Sequence, residues 1–303
     1  MLTNVNDAIL LFSHGSVLCG AGENLRRLAE RMRMRGDAPT VEAGYLNYSA
    51  PLFEDAFEKC VAAGATRVTI APYFLVAGYF VKECLAPKIK AARERYPSIE
   101  VRLAEALRFH PALADALFSC AARAAPPAAW RGLLNTASQF CRSNPQCPLY
   151  GGERCPATTG SSGFRVQGSG SPNPKSEIRN PKSKSALLVM VHGSPRPESN
   201  RDMFAVVDLV RPGGVFPVVE VGFMECNEPS IPAAIAACVG QGAKRVIAVP
   251  YFLHAGNHVA DDLPTLLEEA AAQYPEVEFL MGDYLGRDDG ILDVLRDRVV
   301  EAR

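Results

Sequence analysis

Ala186-Leu-Leu-Val-Met-Val-His192-Gly-Ser194 is a short apolar run that ends on His-Gly-Ser, and an earlier version of it stands at Ala8-Ile-Leu-Leu-Phe-Ser-His14-Gly-Ser16. The two stretches are 178 residues apart. The same offset relates Val41-Glu-Ala-Gly44 to Val219-Glu-Val-Gly222, and Pro51 to Pro229. It also relates Gly64-Ala-Thr-Arg-Val68 to Gly242-Ala-Lys-Arg-Val246, Pro72-Tyr-Phe-Leu75 to Pro250-Tyr-Phe-Leu253, and Tyr96-Pro97 to Tyr274-Pro275. A gap-free register from His14 to Pro97 marks a duplicated domain. Its unit is roughly 110–120 residues, an ordinary size for one compact fold.

Within each half, strands and helices alternate. Ala8–Phe12 and Ala186–Val191 are continuous apolar runs, the pattern of strands buried on both faces. Leu25, Leu28 and Met32 give Asn24–Arg35 a helical period, and Arg201–Val210 follows it. Further strands are predicted at Val41–Leu46, Arg67–Pro72 and Val101–Glu105, and at Val218–Met224, Arg245–Pro250 and Glu278–Met281. Helices at Leu52–Ala63 and Lys82–Arg95 separate them. The fold class is therefore α/β: two tandem Rossmann-like parallel-sheet domains, with ligands outside the carboxyl ends of the strands. The boundaries read as 5–125 for the first domain, 126–185 for a connecting segment and 186–303 for the second.

From Pro156 to Ser185, 17 of 30 residues are Gly, Ser, Pro or Asn, a composition that predicts a disordered linker. Charge excludes some partners. With 32 basic and 33 acidic residues in 303, the chain lacks the basic excess of a nucleic-acid-binding protein. The longest aliphatic runs fall far short of the roughly 20 residues needed to span a bilayer. Met1 to Phe12 has no basic n-region, so no signal peptide is expected. Nine irregularly spaced cysteines do not form a disulfide framework, which predicts a cytoplasmic protein with reduced thiols.

The histidines carry the chemical signal. His14 and His192 directly follow the first strand of their halves. His254 and His258 lie in Pro250-Tyr-Phe-Leu-His-Ala-Gly-Asn-His258 after the third strand, on one helical face if the helix starts that early. Glu225 closes the second strand in Gly222-Phe-Met-Glu225. Two or three imidazoles and a carboxylate around one opening suit a borderline divalent transition metal. Any one of these histidines alone is more simply a cap or a turn residue; four converging groups favour the metal. The matched positions of the first half hold Asn47, Val76 and Phe80, with only His14 retained. One half reads as active and the other as degenerate.

The second half resembles the CbiX family of sirohydrochlorin chelatases. The resemblance rests on His192-Gly-Ser-Pro-Arg-Pro-Glu-Ser-Asn200-Arg201, on Gly222-Phe-Met-Glu225 with Pro229, and on Pro250-Tyr-Phe-Leu253 with Gly256, His258 and Asp262-Leu-Pro264. It extends more weakly through the first half. It implies a class II chelatase, a lyase of cobalamin or siroheme biosynthesis. Such an enzyme inserts cobalt or ferrous iron into sirohydrochlorin without ATP, in a cleft over two Rossmann-like units. By the family pattern His192 and His258 are the metal-binding and catalytic histidines, and Glu225 is the matching acidic residue. His254 lies outside the motif.

Metal insertion expels two pyrrole protons, so the site needs a metal donor and a base; imidazole and carboxylate supply both. No G-x-x-x-x-G-K-[ST] loop is present, in keeping with an ATP-independent reaction. The substrate is a polycarboxylate. Ser194, Arg196 and Arg201, at the start of the helix after His192, offer it a hydroxyl, guanidinium groups and helix N-terminal N–H groups.

Some members of the family carry iron–sulfur clusters. Cys141, Cys147 and Cys155 could ligate such a cluster or zinc, with Cys120 or a partner chain as the fourth thiolate, though their spacing matches no strong template. Cys19, Cys60, Cys84, Cys226 and Cys238 are expected to be small buried hydrophobes. Two other functions compete. An α/β-hydrolase needs a G-x-S-x-G elbow in strand–turn–helix context, and none exists here. A non-catalytic metal or tetrapyrrole carrier on the same fold is separated only by turnover. Deleting Gly160 to Lys182 should leave chelatase activity nearly unchanged, because a flexible connector costs little to shorten. A large loss of activity in the deletion variant would mean that the segment packs on a domain.

Overall fold

The structure, a computed structural model, describes residues 6–16, 22–131 and 184–302. Most of the connecting segment, with Cys141, Cys147 and Cys155, lies outside these residues, as does Cys19. The first repeat runs β1 (Asp7–Ser13), α1 (Glu23–Arg35), β2 (Thr40–Tyr45), α2 (Phe53–Ala62), β3 (Arg67–Pro72), α3 (Ala86–Arg95), β4 (Glu100–Leu103) and α4 (Pro111–Ala122). The second runs β5 (Ser185–Val191), α5 (Arg201–Val210), β6 (Val218–Phe223), α6 (Ile231–Gly240), β7 (Arg245–Pro250), α7 (Leu263–Gln273), β8 (Glu278–Met281) and α8 (Gly290–Glu301).

Each repeat builds a four-stranded sheet, ordered β2-β1-β3-β4 and β6-β5-β7-β8, with every neighbouring pair parallel. The duplication is thus structural as well as sequential. The first strand of each repeat is central, pairing Ala186 with Val218 on one side and with Val246 on the other. Every residue of β5 is buried, as its unbroken apolar run requires. Because the chain adds β6 on one side of β5 and then crosses to place β7 on the other, the strand order reverses between β5 and β7. Open α/β sheets bind ligands at such a switch point, beyond the carboxyl ends of the strands.

Two apolar cores follow from this layering. Ala8, Leu10, Phe12, Phe53, Phe57, Val68 and Ile70 pack one face of the first sheet; Leu188, Met190, Ile235, Val246, Leu263, Leu267 and Phe279 pack the corresponding face of the second. The helix expected at Lys82–Arg95 begins earlier, with a π-helical turn at Phe80–Leu85 that runs into α3. His258–Asp262 is the matching turn before α7. Among the described residues, no helix is long and apolar enough to cross a membrane.

Compactness divides the chain differently from the repeat. One unit contains the chain through Arg108 together with Leu292 onward, and the other contains Phe109–Leu134 with the second repeat through Ile291. The last helix of each repeat therefore joins the other repeat's sheet. In the first unit the buried Arg298 of α8 donates to the Leu107 carbonyl at 2.9 Å, and Arg35 pairs with Asp293 at 2.9 Å. In the second unit Arg123, just past α4, bridges the buried Asp283 (2.6 Å) and Asp288 (2.8 Å). The segment after α4 also covers the edge of β8. Ala125 forms an antiparallel bridge with Met281, and the indole N–H of Trp130 donates to the Met281 carbonyl at 2.8 Å.

Candidate metal centre

The residues that follow β5, β6 and β7 gather at one sheet end. His192 is the first residue after β5, and His258 opens the π-helical turn after β7. Their rings lie 5.1 Å apart, centroid to centroid, inclined at 73°. Two imidazoles on one ion, with metal–nitrogen bonds of about 2.1 Å, put their ring centres at about this separation. Phe252 stands against both, 6.5 Å from His192 and 6.2 Å from His258.

Both rings are presented in a defined tautomer. His258 Nδ1 lies 2.7 Å from the Asp262 carboxylate, one turn along. His192 Nδ1 lies 3.3 Å from the Gly193 carbonyl. Each of these partners is an acceptor, so Nδ1 carries the hydrogen and the lone pair is left on Nε2. A carboxylate behind a ligating imidazole fixes its orientation and raises its basicity. Asp262 carried no assigned role in the sequence reading, although its i, i+4 spacing from His258 was the available signal.

The spacing expected between His254 and His258 is not realised on a helix. The helical turn begins at His258, and half-buried His254 sits in the preceding bend, where its carbonyl accepts from Gly256 N–H. Glu225 reaches the centre through its backbone: its N–H donates to the His192 carbonyl at 3.0 Å, and its side chain is exposed. Among the described residues, no three His, Cys, Asp or Glu side chains converge closely enough to hold one ion. What the fold brings together is the imidazole pair of His192 and His258.

Gly193 makes this approach possible. Its φ is +96°, a region that L side chains rarely adopt, and a Cβ there would collide with the Glu225 carbonyl oxygen. Gly15 (φ +88°) bears the same relation to Asn47. Gly193→Ala should therefore lower stability by roughly 2 kcal/mol or more and separate the loops that carry His192 and Glu225. Denaturant unfolding would show this; a variant with unchanged stability would contradict it.

The residues expected to meet the substrate's carboxylates are arranged differently from expectation. α5 starts only at Arg201, after a short 3₁₀ turn over Pro197–Asn200, so Ser194 and Arg196 belong to the loop. The Ser194 N–H donates to Asn227 Oδ1 at 2.7 Å, and its hydroxyl accepts from the Arg196 N–H at 3.1 Å. Arg196 and Arg201 are exposed. The thiols also differ in part. Cys60 and Cys238 are buried, and burial pushes both up to about 12. Cys226 is exposed, because it occupies a left-handed turn (φ 63°) at the site rather than the core. Cys120, offered as a fourth cluster ligand, is buried with its Sγ 3.8 Å from the Tyr284 carbonyl; burial raises its pKa and keeps it a packed thiol.

The first unit repeats the loops with other side chains. Phe80 takes the place of His258 against His14, at a centroid distance of 4.4 Å, and Cys84 takes the place of Asp262. Asn47 replaces Glu225, and its buried side-chain oxygen has no hydrogen-bond partner among the described residues.

The CbiX family pattern matches residues 8–124 and 186–302. A sirohydrochlorin ferrochelatase of Priestia megaterium is 23% identical over 297 residues, covering 97% of this chain and 89% of that protein. The chloroplastic sirohydrochlorin ferrochelatase of Arabidopsis thaliana is 39% identical over 113 residues, 37% of this chain and 50% of that protein. The solved structure of SirB from Bacillus subtilis with Fe3+ shares the fold at 18% identity, with a TM-score of 0.70 over 98% of this chain and 96% of that one. With both repeats matched, the chain belongs to the CbiX family, as two copies of its domain in tandem.

Proposed function

We propose that this chain inserts a divalent metal ion, cobalt or ferrous iron, into sirohydrochlorin without ATP, and that the second unit carries the chemistry. The observation that supports this is the His192–His258 pair, with both Nδ1 atoms engaged and both Nε2 lone pairs available. The metal is a substrate here, so a site of few donors has an advantage: it can pass the ion on. The two imidazoles hold the incoming ion while the pyrrole nitrogens replace its remaining ligands. The imidazoles then release it as the macrocycle closes around it. The two pyrrole protons must leave as the metal–nitrogen bonds form. Glu225, exposed and tied through its backbone N–H to the His192 carbonyl, is the carboxylate we assign to take the two protons in turn and pass each to water. Arg196, exposed in the loop after His192, and Arg201, exposed at the start of α5, are suited to the carboxylates of the macrocycle.

An anaerobic assay with sirohydrochlorin and cobalt(II), iron(II) or nickel(II) in turn, followed by tetrapyrrole absorption, tests the proposal. Multiple turnovers with cobalt or iron are expected. Metal binding without turnover would leave a carrier and remove the enzyme. Asp262→Asn should lower insertion about 10- to 100-fold, with global stability little changed, because it loosens His258 without deleting it. An undiminished rate would show that the carboxylate does not position the ring.

A further inference from the structure

The first unit has lost the means to hold a free ion, yet its His14 is kept in a defined presentation. His14 Nδ1 lies 3.0 Å from the Gly15 carbonyl, so the hydrogen is on Nδ1 and the lone pair on Nε2, as for His192. Around this single donor the sequence has changed in one direction. Phe80 and Tyr48 stand at the positions of His258 and Cys226, 4.4 Å and 5.9 Å from the His14 ring. Phe74 stacks behind Phe80 at 5.8 Å. Tyr48 is held in a left-handed conformation (φ 61°) and is 53% exposed, an unusual place for a bulky aromatic side chain. The two arginines have also gone: Leu18 and Glu23 occupy the positions of Arg196 and Arg201.

One imidazole with aromatic neighbours and no matched cations is poorly suited to a hydrated ion. It suits a metal already seated in a flat macrocycle, which offers an axial coordination position and a broad π face. We infer that the first unit binds the metallated tetrapyrrole, with His14 Nε2 as axial ligand and Tyr48 and Phe80 against the ring. The bond formed is a dative one from Nε2 to the metal; nothing is oxidised, and no proton moves. This inference rests on the proposed function for the identity of the ligand. It assigns a different task to each unit, insertion in the second and product retention in the first.

The test uses the full-length chain carrying His192→Ala and His258→Ala, so that the second-unit donors are gone. It is titrated without oxygen with cobalt(II) uroporphyrin, a metallated polycarboxylate macrocycle, and with metal-free uroporphyrin as comparison. One equivalent of the cobalt form should bind, and its electron paramagnetic resonance spectrum should show superhyperfine splitting from a single axial nitrogen. Adding His14→Gln should abolish the splitting and weaken binding about tenfold. Tyr48→Ala should weaken binding several-fold and keep the splitting, a combination that a purely structural role for His14 would not give. A spectrum without nitrogen splitting, a splitting that survives His14→Gln, or equal binding of the metal-free ring would each overturn the inference. Failure of the unmodified chain to insert metal would instead count against the proposed function, which this titration does not measure.

Discussion

Replacing His258 by alanine should lower the rate of metal insertion several hundred-fold and leave the fold intact. The loss corresponds to about 3.5 kcal/mol of barrier at about 1.4 kcal/mol per tenfold. The side chain is 39% exposed and its one strong polar contact is to Asp262, so truncation leaves no cavity and no buried unpaired group. Removal of a half-exposed ring at the start of a helical turn should shift stability by roughly 0.5 kcal/mol at most. His192→Ala should be nearly as damaging to the rate. A residual rate above about a tenth of the unmodified chain's, a loss below ~1.4 kcal/mol, would show that the imidazole pair is not the metal donor set. Thermal unfolding of each variant, measured beside the insertion assay, keeps a folding defect from passing as a catalytic one.

The second expected result is asymmetry between the repeats. His14→Ala should lower turnover only several-fold, against several hundred-fold for His192→Ala, because Phe80 offers no second donor beside His14. Equal losses would mean that His14 takes part in insertion, and the division of labour between the units would fall. The converse experiment rebuilds the donors. Asn47→Glu and Phe80→His restore the side chains first read from the sequence, and the structure adds Cys84→Asp as the partner that would hold the new imidazole's Nδ1. The triple variant should bind a second equivalent of cobalt(II) by calorimetry. Without Cys84→Asp, binding should be about 10- to 100-fold weaker, the usual scale of an orienting carboxylate.

The fold was legible because duplication writes it twice. A buried parallel strand such as β5 announces itself as an unbroken apolar run, and the repeat fixes which turns are equivalent. The His192–His258 pair was legible because His192 directly follows β5 and His258 lies on the connection that leaves β7. What escaped has a physical reason in each case. Helix starts are set by backbone hydrogen bonding, which spacing alone does not fix, so His254 looked like a partner of His258 while the turn begins only at His258 itself. The role of Asp262 depends on that same start, since only a turn opening at His258 brings its carboxylate onto Nδ1. Glu225 lies two residues beyond β6, and the direction of an exposed side chain is not written in a strand pattern. The exchange of terminal helices left no trace either. α4 and α8 are tied in by partners distant along the chain, such as Asp283 for Arg123 just past α4 and the Leu107 carbonyl for Arg298 of α8, and local spacing does not announce these.

That exchange has a consequence for biosynthesis. The sheet of the first unit leaves the ribosome early, but α8, with its buried Leu292, Val294, Leu295 and Val299, is translated only after the sheet of the second. At about 5–20 residues per second, the chain between Arg108 and Leu292 delays completion by roughly ten seconds or more. Through that interval the nascent first unit lacks one of its covering helices, and the contact that finally seals it has among the longest sequence separations the chain allows. Such closures are slow and leave apolar surface open to chaperones meanwhile. Truncation before α8 would therefore injure the domain that was made first.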